Sequence, residues 1–190
     1  MKRDIVLAGV GGQGILLPSA ILAASALSEG MHAKQSEVHG MAQRGGAVQA
    51  HLRLSDAPIY SELIPEGTAD LILSMEPLES LRYLNCLSSD GVLLTATEPF
   101  DNIPNYPNVE ELLKKIHTLP GSVTVDAARI ARESGSALSA NMVMLGAAVR
   151  FVPLKPETIE EHIRRFFAPK GSKTVEINVK AFRSGMNHES

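Results

Sequence analysis

The sequence predicts an α/β fold, a three-layer α/β/α sandwich around a mostly parallel, Rossmann-like sheet. Short apolar runs alternate with stretches of helical periodicity along almost the whole chain, which is the pattern of repeated βαβ units. The first apolar run, 5–10, leads directly into a dense glycine loop, as at many strand-to-helix junctions of such folds. The chain of 190 residues predicts a single domain, 1–190, that is long enough to bury a proper core.

The first half of the chain is predicted to hold four strands and two helices. Residues 5–10 are apolar on both faces, which indicates a central parallel strand. The helix that follows, from 12 to about 29, contains Pro18, which predicts a kink or a first turn that begins later. Residues 47–54 alternate as a strand with one polar face does. The other elements predicted here are strands at 32–36 and 71–75 and a helix from Pro77 to about residue 84.

The second half begins with a predicted turn at Asp90 and Gly91, followed by a strand at 92–96. Residues 98–108 contain three prolines and three asparagines and predict a loop, after which Asn108 caps a helix. The segment 173–185 fits both a strand and a helix, and we favour the helix. The remaining predictions are a strand at 123–125 and helices near 127–133, 140–151 and from Pro156 onward.

Bulk composition excludes several classes of function. The formal charge of −3, the absence of a basic run and an aromatic content of 4% without Trp argue against a nucleic-acid-binding protein. Cys86 is the only cysteine, so this chain alone forms no internal disulfide and holds no cysteine-ligated iron–sulfur cluster. No secretory signal and no apolar run of about 18 residues is present, so we expect no membrane association and a cytoplasmic location.

The glycine loop is the first candidate site. Gly9, Gly11 and Gly14 satisfy the G-x-G-x-x-G pattern after a strand, and backbone amides at a helix start favour anions. The candidate residues for binding a cofactor phosphate are Gly9, Gly11, Gly12, Gln13 and Gly14. The alternative is that these glycines only permit close packing of the helix, the strand or a partner.

Free-standing nucleotide-binding enzymes share this kind of loop, so an NAD- or ATP-dependent enzyme stays a second hypothesis. A dinucleotide fold needs an acid about twenty residues on, at the end of the second strand, and Glu37 falls late for that role. Adenylating enzymes of the ubiquitin-activating type often carry paired C-x-x-C zinc ligands, which one cysteine cannot supply.

A second glycine-rich run, S-E-V-H-G-M-A-Q-R-G-G, spans residues 36–46. Arg44 precedes two glycines and suits a bidentate contact to a phosphate or a carboxylate, so it joins the candidate cofactor contacts. A loop that bonds its own backbone is the alternative. The residues that we predict to form an interface are Glu37, His39, Gln43, Arg44 and Gly45.

The two runs together resemble the gamma-type subunit or domain of 2-oxoacid:ferredoxin oxidoreductases, over nearly the whole chain. The V-H-G and Q-R-G-G elements within 36–46 are similar to the beta subunit of the indolepyruvate-specific members. Further similarity lies in L-I-L-S-M-E-P at 71–77, in the helix around 141–147 and in the ending near 181–185.

The resemblance implies a reaction that this chain does not catalyse alone. An aryl 2-oxoacid, such as indolepyruvate, is oxidatively decarboxylated with coenzyme A, and ferredoxin is reduced. Thiamine diphosphate, Mg²⁺ and the iron–sulfur clusters are expected on a large alpha subunit, with which this chain forms a hetero-oligomer. The glycine loop would then touch the phosphates of coenzyme A, lie near the thiamine site, or form an assembly surface. We expect no metal site and no catalytic residue in this chain.

Overall fold

The computed structural model describes residues 1–39, 45–101 and 103–188. The strands are β1 (Lys2–Val10), β2 (His32–His39), β3 (Ala47–Ser55), β4 (Ala69–Ser74), β5 (Leu87–Ala96) and β6 (Ser122–Val125). The helices are α1 (Leu16–Ser28), α2 (Pro77–Arg82), α3 (Val109–His117), α4 (Ala127–Ser134), α5 (Ala140–Ala148), α6 (Pro156–Phe167) and α7 (Ser172–Met186). Single 3₁₀ turns occupy Leu84–Cys86, Ala137–Ser139, Val149–Phe151 and Ala168–Lys170.

The strands form one sheet in the order β2-β3-β1-β4-β5-β6, and most of its pairings are parallel. Strand β1 pairs in parallel with β4, β4 with β5, and β5 with β6. An antiparallel hairpin of β2 and β3 extends the sheet beyond β1. Strand β1 is therefore central, as its apolar sequence predicts, and it connects the parallel part to the hairpin.

Helices cover both faces of the sheet, which confirms the three-layer prediction. Along β1, Ile5 and Leu7 face the larger core, which includes residues of α1, α5, α6 and α7. Val6 faces the opposite, smaller core with Leu112 and Ile116 of α3. This alternation follows from the period of two residues in a strand.

Glycines allow α5 and α7 to cross in direct backbone contact. A Cβ atom built at Gly146 would overlap the carbonyl oxygen of Phe182, and one at Gly185 would overlap that of Val143. No other residue type fits at either position without moving a helix. The C-terminal segment is therefore a helix that packs closely on α5, in agreement with the prediction for 173–185.

Several predicted boundaries shift. The first helix begins at Leu16 and not at 12, so Pro18 lies in its first turn. Backbone N–H groups there have no intrahelical partner, so the missing N–H of proline costs no helix hydrogen bond. The turn predicted at Asp90 and Gly91 is wrong, because both residues lie within β5. Asn108 caps α3 as predicted, and its side-chain oxygen accepts a hydrogen bond from the Glu111 amide at 3.1 Å.

The described residues include neither a helix suited to spanning a membrane nor a cluster of metal ligands. None of the helices there combines the length and the apolar run that a bilayer crossing requires. No group of three or more histidine, cysteine or acidic side chains within 1–39, 45–101 and 103–188 is arranged to hold a metal ion.

Candidate functional site

The glycine loop lies where the parallel strands end. Strand β1 ends at Val10, and residues 11–15 form the turn before α1. Strands β4, β5 and β6 run in the same direction and end at the same edge of the sheet. Open α/β sheets bind their ligands beyond this carboxyl edge.

Two backbone hydrogen bonds join the two glycine-rich runs. The Gly11 amide donates to the Gly46 carbonyl oxygen at 2.8 Å, and the Gly45 amide donates to the Gly11 carbonyl oxygen at 3.2 Å. These bonds continue the β1–β3 ladder, whose last pair is Val10 with Ala47. Runs that are about thirty residues apart in the sequence therefore form one surface.

Gln13 holds the loop from inside. Its side-chain oxygen accepts a hydrogen bond from the Val10 amide at 2.8 Å, and its side-chain nitrogen donates to the Met75 carbonyl oxygen at 3.1 Å. Gly9 lies beneath it, where a Cβ would lie 2.8 Å from both Gln13 Oε1 and Ile15 Cδ1, so a larger residue there would have to displace these side chains. Gln13 and Gly9 thus fix the shape of the loop.

Gly12 and Gly14 are the exposed members of the loop. Their φ angles of +110° and +69° are favourable only for glycine. Helix α1 has no side-chain cap and no acidic residue in its first turn. The Leu17 amide donates to the Gly14 carbonyl oxygen at 3.3 Å and Pro18 has no amide hydrogen, so the loop amides of Gly12 and Gly14, near the positive end of the helix dipole, are the ones that would face an anion.

Asn141, at the start of α5, supports the loop from the other side. Its side-chain nitrogen donates to the Gly14 carbonyl oxygen at 3.1 Å. Its side-chain oxygen is buried and has no hydrogen-bond partner within the described parts of the chain. A Cβ at Gly14 would lie 2.7 Å from the same side-chain nitrogen, so this contact requires glycine.

A cavity of about 210 Å³ opens beside the loop. Its wall is mostly small or apolar, with Gln13, Asn141 and Glu98 as the polar contributors. The full lining is Gly12, Gln13, Met75, Ala96, Glu98, Ala127, Ala128, Ala137, Leu138, Ala140, Asn141 and Met144. Leu138 stands at 92% exposure, so the chain alone leaves an apolar side chain in water next to this cavity.

A buried carboxylate anchors the loop that carries Glu98. Glu76 is 1% exposed, caps α2 and accepts hydrogen bonds from the Tyr106 hydroxyl and the Phe100 amide. Burial and this hydrogen bond raise the pKa of Tyr106, so its hydroxyl stays protonated and donates. Burial also raises the pKa of Glu79 on the next turn, against the opposing effect of Arg82.

The second strand differs from that of a dinucleotide-binding fold. Strand β3 lies between β1 and β2, so the carboxyl end of β2 is two strand spacings from β1, about 9.5 Å. Glu37 is exposed on this edge strand and pairs in register with Ala50. The acid therefore does not lie beside the glycine loop in the way that ribose binding requires.

The structure brings some of the predicted site residues together and does not describe others. It joins Gly45 to the glycine loop, and it sets the backbone of His39 opposite Val48 at the end of β2. Gln43 and Arg44 lie outside the described residues. Sequence reasoning missed Asn141 and Tyr106, because each acts through a contact with a residue distant in the sequence.

Comparisons with known proteins agree on a single family. Residues 4–188 match the family described as pyruvate ferredoxin/flavodoxin oxidoreductase. The indolepyruvate oxidoreductase subunit IorB of Archaeoglobus fulgidus is 37% identical over 198 residues, which cover 98% of this chain and 95% of that protein.

Solved structures extend the comparison. The gamma subunit of a keto/oxoacid ferredoxin oxidoreductase from Geobacter sulfurreducens has a TM-score of 0.71 and 27% identity, covering 96% of this chain and 95% of that chain. The 2-oxoglutarate:ferredoxin oxidoreductase of Magnetococcus marinus, determined with 2-oxoglutarate, coenzyme A and succinyl-CoA, has the same fold, with a TM-score of 0.77 and 20% identity. The match covers 97% of this chain and 30% of that chain. The chain belongs to the pyruvate ferredoxin/flavodoxin oxidoreductase family as a gamma-type subunit.

Proposed function

We propose that this chain is the accessory subunit of an oxidoreductase that decarboxylates an aryl 2-oxoacid, with indolepyruvate as the oxoacid, coenzyme A as co-substrate and ferredoxin as acceptor. The observation that carries the proposal is the 37% identity to an indolepyruvate oxidoreductase subunit over 98% of this chain. A large partner subunit would hold thiamine diphosphate, Mg²⁺ and the iron–sulfur clusters. The complex would be located in the cytoplasm.

The chemistry of the chain supports an accessory role. Cys86, the only thiol, is buried, and burial raises the pKa of that thiol. A thiol of this kind is a poor nucleophile and a poor ligand. On this proposal the reacting groups belong to the large partner subunit, while this subunit contributes binding surface.

The glycine loop would contact the phosphates of coenzyme A through the exposed amides at Gly12 and Gly14. The uncapped start of α1 supports this role, since it leaves a partial positive charge at the loop. Gly9, Gly11 and Gln13 would take part indirectly, by holding the loop in shape. Arg44 follows Gln43 in the segment that leads to Gly45, and we propose that it adds the cationic contact.

The surface from β2 into the second glycine run would bind the large subunit. Strand β2 is the edge of the sheet, and Val38 on it is 65% exposed. An exposed edge strand with an apolar side chain is a common docking feature. Glu37, His39, Gln43, Arg44 and Gly45 belong to this continuous stretch of chain.

Variants of Arg44 test this assignment. Arg44→Ala is expected to retain the melting temperature of the chain but to lower its co-purification with the large subunit or the turnover of the complex. Arg165→Ala, which removes an exposed arginine of α6 that pairs with Glu161, is the matched control and is expected to change neither. A large drop in melting temperature for Arg44→Ala would show that the side chain is a structural anchor.

A free-standing nucleotide-binding enzyme is the alternative function that the glycine loop permits. Calorimetric titration of the isolated chain with NAD, ATP and coenzyme A distinguishes the two. Tight binding of NAD or ATP, or turnover without a partner, would contradict the accessory role. The position of β3 between β1 and β2 argues against a dinucleotide site.

A further inference from the structure

Helix α1 lies in an outer layer of the fold and yet carries no charged side chain. Its sequence, L-L-P-S-A-I-L-A-A-S-A-L-S, contains no aspartate, glutamate, lysine or arginine. A helix on the surface of a globular protein ordinarily turns charged and polar side chains to water. Here Ala20 is exposed and Leu27 is 61% exposed. The outward face of α1 therefore has the composition of a helix that another surface covers.

Helix α6 extends this apolar surface. A groove of about 300 Å³ lies between the two helices, and Phe166, which is 47% exposed, forms part of its wall. The Ser28 hydroxyl and the Nε2 atom of His162 are hydrogen-bonded at 2.8 Å. The Lys155 amide donates to a carboxylate oxygen of Glu29 at 2.9 Å. These two bonds fix α6 on α1, so both helices belong to one preformed surface.

The outward side chains of α1 follow an order that is the same from either end of the helix. They are spaced to share one face, with leucines at the ends and alanines in the middle. All of them are exposed or partly buried: Leu16, Leu17, Ala20, Ala23, Ala24 and Leu27. Small side chains at the centre let a second helix approach closely. A two-fold axis at that centre places the leucines of one helix against those of an antiparallel copy, whereas an unrelated partner requires no such symmetry.

Two charges on α6 suit the same symmetry. Glu161 and Arg165 form an exposed ion pair one turn apart, and Arg165 also lines the groove. An axis that sets two copies of α1 antiparallel also sets their α6 helices antiparallel, so Arg165 of one copy comes near Glu161 of the other. Each copy supplies both members of the crossed pairs, which is the charge complementarity that a contact between identical surfaces needs.

We propose that the surface formed by α1 and α6 is a contact between two copies of this chain, related by a two-fold axis near Ala20 and Ala24. Helix α1 has 13 residues and is about 20 Å long, so the contact is small for a protein–protein interface. The free chain is therefore expected to dimerise with a dissociation constant in the micromolar range. The contact uses no residue of the β2 edge, so it joins two accessory subunits without occupying the surface proposed for the large subunit.

Sedimentation velocity of the full chain, from about 1 to about 200 µM, tests the dimer. The parent chain is expected to shift from monomer to dimer with concentration. Ala20→Glu places a charge at the centre of the contact and is expected to weaken the dimer at least about tenfold without lowering the melting temperature. Ala57→Glu adds the same charge at an exposed loop position and is expected to behave as the parent chain does.

A charge exchange tests the two-fold relation itself. Glu161→Arg sets like charges against each other and is expected to weaken the dimer by a factor of about 5. The double variant Glu161→Arg/Arg165→Glu restores opposite charges across the axis and is expected to recover the parent affinity. Glu133→Arg, in the equivalent exposed pair with Arg129 on α4, is the control and is expected to have no effect. A double variant as weak as Glu161→Arg would refute the two-fold contact.

The remaining outcomes also decide the proposal. A parent chain that is monomeric at every concentration, or a dimer that Ala20→Glu leaves unchanged, would overturn it. If the parent chain is monomeric and Ala20→Glu abolishes co-purification with the large subunit, this face binds that subunit and not a second copy. The proposed function does not depend on the result, since a monomeric chain that supports turnover with a large subunit refutes only the dimer.

Discussion

The Gly11 amide and the Gly46 carbonyl oxygen are 2.8 Å apart, and this bond joins the two glycine-rich runs of the chain into one surface. The return bond from Gly45 to Gly11 makes the contact a continuation of the β1–β3 ladder. Gly11 is buried and its φ angle is not positive, so a substitution there acts through crowding between the two runs and not through backbone strain.

Replacement of Gly11 by Val is expected to separate the two runs. The branched side chain has to fit where the backbones of Gly11 and Gly46 meet, so we expect a loss of about 2–3 kcal/mol in the free energy of unfolding, measured by urea denaturation. Ser55→Val, at the other end of β3, is the control and is expected to lose about 1 kcal/mol or less. Equal losses in the two variants would contradict the close contact.

A pair of alanine substitutions isolates the contact between Gly14 and Asn141. Gly12→Ala and Gly14→Ala both place a side chain at positive φ, which costs about 1–2 kcal/mol each. Only Gly14→Ala brings a Cβ to 2.7 Å from the Asn141 side chain, while Gly12 has nothing within 4 Å. Thermal melting is expected to show Gly14→Ala as the less stable variant by at least about 1 kcal/mol, and the reverse order would disprove the packing of this loop on α5.

Loss of the Tyr106 hydroxyl is expected to loosen the loop that carries Glu98. Tyr106→Phe leaves the buried Glu76 carboxylate with fewer donors, so the free energy of unfolding should fall by about 1–2 kcal/mol. Tyr60→Phe, at a side chain that is 91% exposed, serves as the control, with a change within about 0.5 kcal/mol. Hydrogen exchange of the Phe100 amide, which also bonds Glu76, should accelerate in Tyr106→Phe alone.

His51 makes part of the stability dependent on pH. Burial and the nearby Arg53 lower the pKa of His51, and its neutral Nδ1 accepts a hydrogen bond from the Ile64 amide at 3.0 Å. In the unfolded chain the pKa of His51 is about 6.5, so His51 takes up a proton there before it does so in the folded chain as the pH falls. This contribution is therefore complete above about pH 6.5 and decreases as the pH falls below that value.

His51→Asn keeps an acceptor near the Ile64 amide but does not titrate. Chemical unfolding between pH 7.5 and pH 5, a range of about 2.5 units around the ordinary histidine pKa, is expected to show a smaller loss of stability in the variant than in the parent chain. Identical slopes would show that His51 titrates alike in the folded and unfolded states.

Strand and helix types were predictable where a local pattern determines them. The apolar run at 5–10 identifies β1, and the Asn108 cap identifies the start of α3. Strand pairing was not predictable in this way, because the position of β3 between β1 and β2 depends on contacts between distant segments. The sequence of 173–185 fits both a helix and a strand, and its packing on α5 through Gly146 and Gly185 decides for the helix.

The candidate site was predictable in its glycines and not in its supports. Gly12 and Gly14 lie on the exposed loop that the motif predicts. Asn141 follows the same loop by 127 positions and lies in an apolar helix, where nothing in the local sequence marks it as a polar contact. The hydrogen bond from Asn141 to the Gly14 carbonyl oxygen depends on how α5 packs beside the loop, which only the three-dimensional structure shows.

The most direct measurement is reconstitution of the complex from two separately purified chains. The assay follows coenzyme A-dependent reduction of ferredoxin or a viologen dye with indolepyruvate, for this chain alone, for a large subunit bearing thiamine diphosphate and clusters alone, and for the mixture. We expect this chain alone to be colourless, iron-free and inactive, and turnover to require the mixture. Stoichiometric iron or turnover in this chain alone, or full turnover of the large subunit without it, would contradict the accessory role.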